Sequence, residues 1–273
     1  MPGSTKAPNG RSRLPALAGQ ARQRVRRLTT NPFESQAARV LLVHCGHHKA
    51  GTVWFRHVLL DVIRHYGLRK QEEGDFESIR SVTDLAFYGH AERFRREQVG
   101  TRAFRGSHLV RDPRDLVVSG YEYHLVTKEE WTKVPSPKYG GLSYQAYLQS
   151  LNEHDGLLAE VEWFAGETGV ALSNWDYEQP EFLELRFEDA MADELGTFEK
   201  LFKWYGFNDA AQGIGLGAVE RLSLRREGAK SNHARGGRPG EWRDRLGPAH
   251  LERLEELTGD LVARIGYDDA SRG

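Results

Sequence analysis

Apolar residues along this chain follow two alternating rhythms. Short continuous apolar runs near 40–45, 83–88, 103–110 and 182–187 have the length and composition of buried strands. Between and after them, apolar positions three and four apart predict helices near 53–66, 113–122, 143–151, 156–168, 190–205 and 248–265. Trp54, Phe55, Val58, Leu59, Val62 and Ile63 form one clear helical stripe. Leu251, Leu254, Leu257, Leu261 and Ile265, behind Pro248, form another that reads as structural packing. Strands alternating with helices imply an α/β fold with a mostly parallel sheet flanked by helices on both faces. The stretch 126–141, with Pro135, Pro137, Gly140 and Gly141, breaks the alternation and is expected to be a loop over a binding site. No internal repeat or low-complexity tract is evident.

The densest chemical information lies in residues 40–54, VLLVHCGHHKAGTVW, which read as a buried strand running through a turn into a helix. Gly46 and Gly51 bracket the turn, and the backbone amides of Ala50, Gly51, Thr52 and Val53 are expected to point at whatever sits over the helix N-terminus. Such amides, with the helix dipole behind them, favour a phosphate or sulfate, and Lys49 adds a full positive charge. The glycine spacing is that of a Walker A loop, but Thr52 and Val53 occupy the positions of its lysine and magnesium-binding hydroxyl. Ordinary ATP hydrolysis is therefore disfavoured. Further on, residues 103–110 suit a strand, Asp112 a helix N-cap and Pro113 the first helical position. Arg111 then sits at the carboxyl edge of the sheet, where ligands of open α/β folds collect, and Ser119 lies about two turns into the helix.

At these residues the chain resembles the sulfotransferase family. HKAGTVW, residues 48–54, is similar to that family's P-K-S-G-T-T-W loop, which binds the 5′-phosphosulfate of 3′-phosphoadenosine 5′-phosphosulfate (PAPS). Arg111 and Ser119 match the family's 3′-phosphate motif. Residues 234–246, ARGGRPGEWRDRL, resemble the R-K-G-x-x-G-D-W-K loop: Arg235, Gly237, Gly240 and Trp242 are in register, and Gly236 replaces a lysine. Residues 182–193 resemble the family's strand and Y-E-D turn, with Phe187 in place of tyrosine and the phenol's hydrogen bond lost. The resemblance implies a P-loop NTPase-like sulfotransferase fold, with Lys49, Ala50, Gly51, Thr52, Val53, Trp54, Arg111, Ser119, Phe187, Ser223, Arg235, Gly236 and Gly237 around the donor. In it Trp54 would stack on adenine and Ser223 would reach the 3′-phosphate or adenosine. Lys49 would be catalytic at the leaving phosphate. His90, about twenty residues ahead of Arg111, would be the base, since the family places a histidine there after a strand and imidazole titrates near neutrality.

Other readings of the same residues stay in view. His90 also suits a surface or capping histidine, and Trp54 a core aromatic. His44, His47 and His48 invite a metal, but they lie on a strand end and turn without the partners zinc requires, so no metal is expected. His108 reads as a core or pocket histidine, and His124 as either facing the acceptor or capping its helix. The basic stretch containing Arg221, Arg225, Arg226, Lys230, Arg235, Arg238 and Arg243 raises nucleic-acid binding, yet Trp242 is its lone aromatic.

Composition narrows the setting. The 273 residues, 39% hydrophobic with a formal net charge of -1, suffice for one full core and offer no overall attraction to nucleic acid. One cysteine, Cys45, excludes an internal disulfide framework, and no apolar run approaches the ~20 residues that span a bilayer. A cytoplasmic protein is expected. Lys6, Arg11, Arg13, Arg22, Arg24, Arg26 and Arg27 precede the first acidic residue, Glu34, so residues 1–34 read as a basic tail, disordered or touching an anionic membrane or partner, before a single domain over 35–273. The expected function is sulfuryl transfer from PAPS to a hydroxyl of a small-molecule or glycan acceptor. The alternatives are an ATP-using small-molecule kinase and a nucleotide-binding module without catalysis.

Overall fold

The structure, a computed structural model, describes residues 31–72, 77–224 and 238–267. Its five strands, β1 (Leu41–Cys45), β2 (Lys70–Glu72), β3 (Leu85–Tyr88), β4 (Phe104–Val110) and β5 (Phe182–Arg186), pair in the order β2-β3-β1-β4-β5, parallel throughout. Every residue of β1 is buried, as a central strand covered on both faces requires. Four strands fall where the apolar runs predict them. The polar edge strand β2 has no such run; it is held by Gln71, whose carbonyl accepts from the Arg80 amide at 3.0 Å and the Thr83 hydroxyl at 3.1 Å.

One face of the sheet is covered by α1 (Thr52–Tyr66), α6 (Phe187–Ala192), α7 (Glu194–Trp204) and α8 (Asp209–Arg221). The predicted stripe of α1 is its buried face, and Gly67, with φ 66°, ends it. Helices α2 (Pro113–His124), α3 (Tyr144–Ser150), α4 (Glu153–Phe164), α5 (Val170–Asn174), α9 (Trp242–Arg245), α10 (Pro248–Thr258) and α11 (Leu261–Arg264) form a second cluster that meets the sheet at Val110, and on the sheet's other face Leu41, Val43, Cys45, Ala86 and Tyr88 pack against Ile79, Ala91, Phe94 and Val99. A π-helical turn, Ala165–Gly169, joins α4 to α5. The single helix expected over 190–205 is divided at Asp193, whose carboxylate caps α7 by accepting from the Gly196 amide at 2.9 Å. The one expected over 248–265 is divided at Gly259, whose φ of 61° no helix accommodates. Helix α8 is absent from the sequence reading because Gly213, Gly215 and Gly217 dilute its period; at Gly215 a Cβ would lie 2.3 Å from the Phe202 ring.

Phe33 is buried and bridged to Phe207, while the Asn208 amide donates to Pro32 O and the Glu34 amide to Gly206 O, each at 2.9 Å. Residues 32–34, placed in the basic tail by composition, thus belong to the packed body. The tail's cationic residues lie outside the described residues. No described helix is long and apolar enough to cross a membrane. At the carboxyl edge of the sheet β1 leads into the 46–51 turn, β3 to His90, β4 to Arg111 and β5 to Phe187, so four loops converge on one place.

Candidate functional site

The turn after β1 is locked by one carbonyl. His47 O accepts from the Ala50 amide at 3.1 Å and from the Thr52 hydroxyl at 2.8 Å, so the Ala50 amide is engaged inside the loop. Lys49 has φ 65° and Gly51 φ 93°, both left-handed, a conformation that is strained for a lysine. A Cβ on Gly51 would stand 2.6 Å from the Phe187 ring. Phe187 therefore packs its ring against the loop, a contact for which the absent phenol is not needed. The Thr52 and Val53 amides open α1 with no intrahelical acceptor, which leaves them to an anion.

Lys49 Nζ lies 4.2 Å above the Tyr123 ring. Burial, then the Arg111 charge, lowers its pKa to about 8 against the opposing pull of Glu129 and Glu160. Arg111 is buried too: it donates to Lys49 O at 3.1 Å and its guanidinium covers the Phe187 ring at 4.7 Å. Its Nε is buried without a partner, as a group waiting for a ligand would be. Burial lowers the Arg111 pKa while Asp115, Glu188, Glu241 and Asp112 oppose the shift. Asp112 caps α2 as predicted, accepting from the Arg114 amide at 2.9 Å. Asp115 of the same helix accepts from the Gly240 amide at 2.7 Å and the Trp242 amide at 3.0 Å, which ties the third motif to the Arg111 corner. Ser119 is buried on α2, and Ser223 is buried just beyond α8. Arg235, Gly236 and Gly237 lie outside the described residues. Trp54 is buried edge-on against Phe55 at 5.4 Å and Phe198 at 5.2 Å, its Nε1 without a partner.

Three imidazoles form a ladder beside Lys49. His48 lies parallel to His90 at 6.4 Å and to His124 at 5.3 Å. Burial, with the charges of His124, Lys49 and His90, drives the His48 pKa down to about 2, so His48 is neutral. His90 is half-exposed with Nδ1 3.4 Å from Glu92. His124 is sealed: Nδ1 meets both oxygens of Glu160 at 2.9 and 3.0 Å, Glu160 also accepts the Tyr144 hydroxyl at 2.7 Å, and the ring is walled by Trp131 and Trp163. The Nε2 atoms of His48 and His124 are buried without partners. Trp131 comes from the 126–141 segment, on the 3₁₀ turn Glu130–Lys133. Among the described residues no group of three His, Cys, Asp or Glu is placed to hold a metal ion.

Sequence reasoning brought Lys49, His90, Arg111, Ser119 and Phe187 to this edge but did not single out Glu160, Tyr144 or Trp163. One signal was available. Glu160 stands on the apolar stripe of α4, between Leu157 and Val161, and an acid there needs a buried partner. Gly120, at the facing position of α2, makes room for it: a Cβ would lie 2.3 Å from Glu160 Oε1.

No protein-family model matches this chain. Mouse sulfotransferase 2A2 and mouse sulfotransferase 2A1 are each 26% identical to it over 172 residues, 57% of this chain and 55% of the relative. The chain thus spans about half the length of the curated relatives it matches. Among solved structures, mouse sulfotransferase SULT7A1 complexed with PAP shares the fold at a TM-score of 0.51 and 16% identity, covering 86% of each chain. The sequence matches to the two sulfotransferases and the shared fold support a sulfotransferase family, in agreement with the order of the loops around the carboxyl edge.

Proposed function

We propose that this protein transfers a sulfuryl group from PAPS to a hydroxyl of a small-molecule or glycan acceptor. The observation that carries the reading is the Lys49 corner: a left-handed lysine, open helix amides and, joined to Lys49 O at 3.1 Å, the Arg111 guanidinium with its unpartnered Nε. Their donor set suits a ligand with two separate phosphate-type anions. PAPS supplies a sulfuryl group on a phosphate that departs as its own anion.

The Thr52 and Val53 amides and Lys49 hold the 5′ end, and Lys49 stabilises the negative charge that grows on the bridging oxygen as the S–O bond breaks. Arg111 and Ser119, with Arg235 and Gly237, hold the 3′-phosphate; Trp54 and Ser223 serve the adenosine. His90 takes the proton of the acceptor hydroxyl as the new O–S bond forms, and the electron pair of the broken bond leaves on the phosphate oxygen. The relative complexed with PAP supports this donor assignment.

Isothermal titration with adenosine 3′,5′-bisphosphate, beside ATP with magnesium, tests the reading without an acceptor. Micromolar binding of the bisphosphate in the absence of metal, weakened in Arg111→Ala, is the expected result. Preference for magnesium-ATP would instead make the protein a kinase. With PAPS and an acceptor, Lys49→Ala should lower kcat by ~10²-fold or more, as loss of a transition-state charge stabiliser does.

A further inference from the structure

A single line of hydrogen bonds runs behind the donor loop to the protein surface. Trp175 Nε1 donates to Glu184 Oε1 at 3.0 Å, Glu184 Oε2 meets His108 Nδ1 at 2.7 Å, and His108 Nε2 meets His47 Nε2 at 2.8 Å. The Trp175 ring stacks on His108 at 3.9 Å and fixes its plane. Both histidines are buried, whereas the Glu184 side chain is 31% exposed and forms the outer end of the line. At the inner end His47 Nδ1 is buried without a partner, and His47 O is the carbonyl that holds the Ala50 amide and Thr52 hydroxyl of the loop.

Counting protons shows what this line can do. A neutral imidazole has one N–H, so the two Nε2 atoms share a single proton. When Glu184 is ionised, His108 donates to it from Nδ1, His47 donates to His108 from Nε2, and His47 Nδ1 is a bare lone pair. When Glu184 carries a proton it donates to His108 Nδ1, His108 donates to His47, and His47 Nδ1 becomes an N–H. One proton at the outer end reverses every bond in the line. Burial, seconded by Asp176 and opposed by the Trp175 hydrogen bond, raises Glu184 to about 8. Burial lowers His108 to about 3 and, with the His108 charge, moves His47 well below its usual value. Glu184 is thus the group that titrates, and below about pH 8 its contact with His108 joins a neutral acid to a neutral imidazole and is not an ion pair. The other titratable groups facing the line are His44 at His108, His90 and Glu92 at His47, and Asp176 and Tyr177 at Glu184.

We propose that His108 and Glu184 are positioning residues of the donor loop, acting through His47, and that the loop binds the donor's phosphate more tightly when Glu184 holds its proton. The inference rests on the donor-site reading. Ionising Glu184 puts a negative charge behind the loop and removes the N–H at His47 Nδ1, the inner end of the line. By linkage, binding the anion near pH 8 draws a proton onto Glu184.

Glu184→Gln provides the test, because a glutamine amide donates to His108 Nδ1 while its carbonyl still accepts from Trp175, which holds the line in its protonated sense at every pH. Adenosine 3′,5′-bisphosphate is titrated calorimetrically into wild type and Glu184→Gln between pH 7 and 9.5. Histidine tautomers are followed by ¹⁵N NMR over the same range. Both proteins lose affinity as Lys49 discharges through about pH 8. Wild type should lose about tenfold more, the size of one hydrogen bond to a charged group, and its His47 and His108 tautomers should reverse while those of the variant stay fixed. Equal pH profiles in the two proteins, or tautomers that never reverse, overturn the inference and leave the donor site standing. No bisphosphate binding at any pH overturns the donor-site reading and this inference with it.

Discussion

His90 and His124 both lie parallel to His48, and each has a carboxylate at Nδ1, yet they are built for different conditions. The His90–Glu92 pair is local in sequence, 3.4 Å apart, with both side chains in water: 40% and 46% exposed. The His124–Glu160 pair joins two helices, closes at 2.9 Å, and is sealed at 0% and 1% exposure by Tyr144, Trp131 and Trp163. An exposed pair contributes little to stability and can exchange protons with solvent and substrate without rearrangement. A sealed pair is an element of structure, and removing either partner strands the other. The open pair suits the base role proposed for His90, whereas His124 is a fixed part of the packed wall.

The largest effect is expected at His124. His124→Ala leaves the Glu160 carboxylate buried without its imidazole and should cost ~3–5 kcal/mol in urea denaturation, whereas His90→Ala should stay within ~0.5 kcal/mol. Similar stabilities for the two variants would erase the distinction. Next in size, His90→Ala should lower kcat by ~10²-fold or more with bisphosphate affinity unchanged; undiminished turnover would remove His90 from the base role. Gly120→Ala probes the sealed pair from the helix α2 side, since the new methyl meets Glu160 Oε1, and a loss of ~1–3 kcal/mol in thermal or chemical unfolding is expected. The smallest effect belongs to Glu92→Gln, below ~1 kcal/mol and reduced further by salt; a larger loss would mean that the exposed pair is structural after all.

These differences track what could be read from the chain. The His48 to Trp54 loop, Arg111 and the Asp112–Pro113 helix start were legible because each is a local statement: a strand, a turn and a helix N-terminus written in consecutive residues. The sealed pair was not, because Gly120, His124, Trp131, Tyr144, Glu160 and Trp163 come from α2, a 3₁₀ turn, α3 and α4, and no spacing rule links them. Phe187 shows both sides: its position after β5 was legible, but its contact with Gly51 depends on how β5 sits beside β4. The same holds for β2 and α8, whose residues lack a period of their own and take their conformation from β3 and α7.

The chain alone specified the alternation of strands and helices, the parallel sheet that follows from it, and the strand–turn–helix around Gly46 and Gly51, because period, caps and glycine positions act over a few neighbouring residues. Only the tertiary structure decided which histidine is sealed and which is open, and which carboxylate each one meets. Burial sets the cost of a charge and the partner that must offset it, and burial is a property of the packed whole.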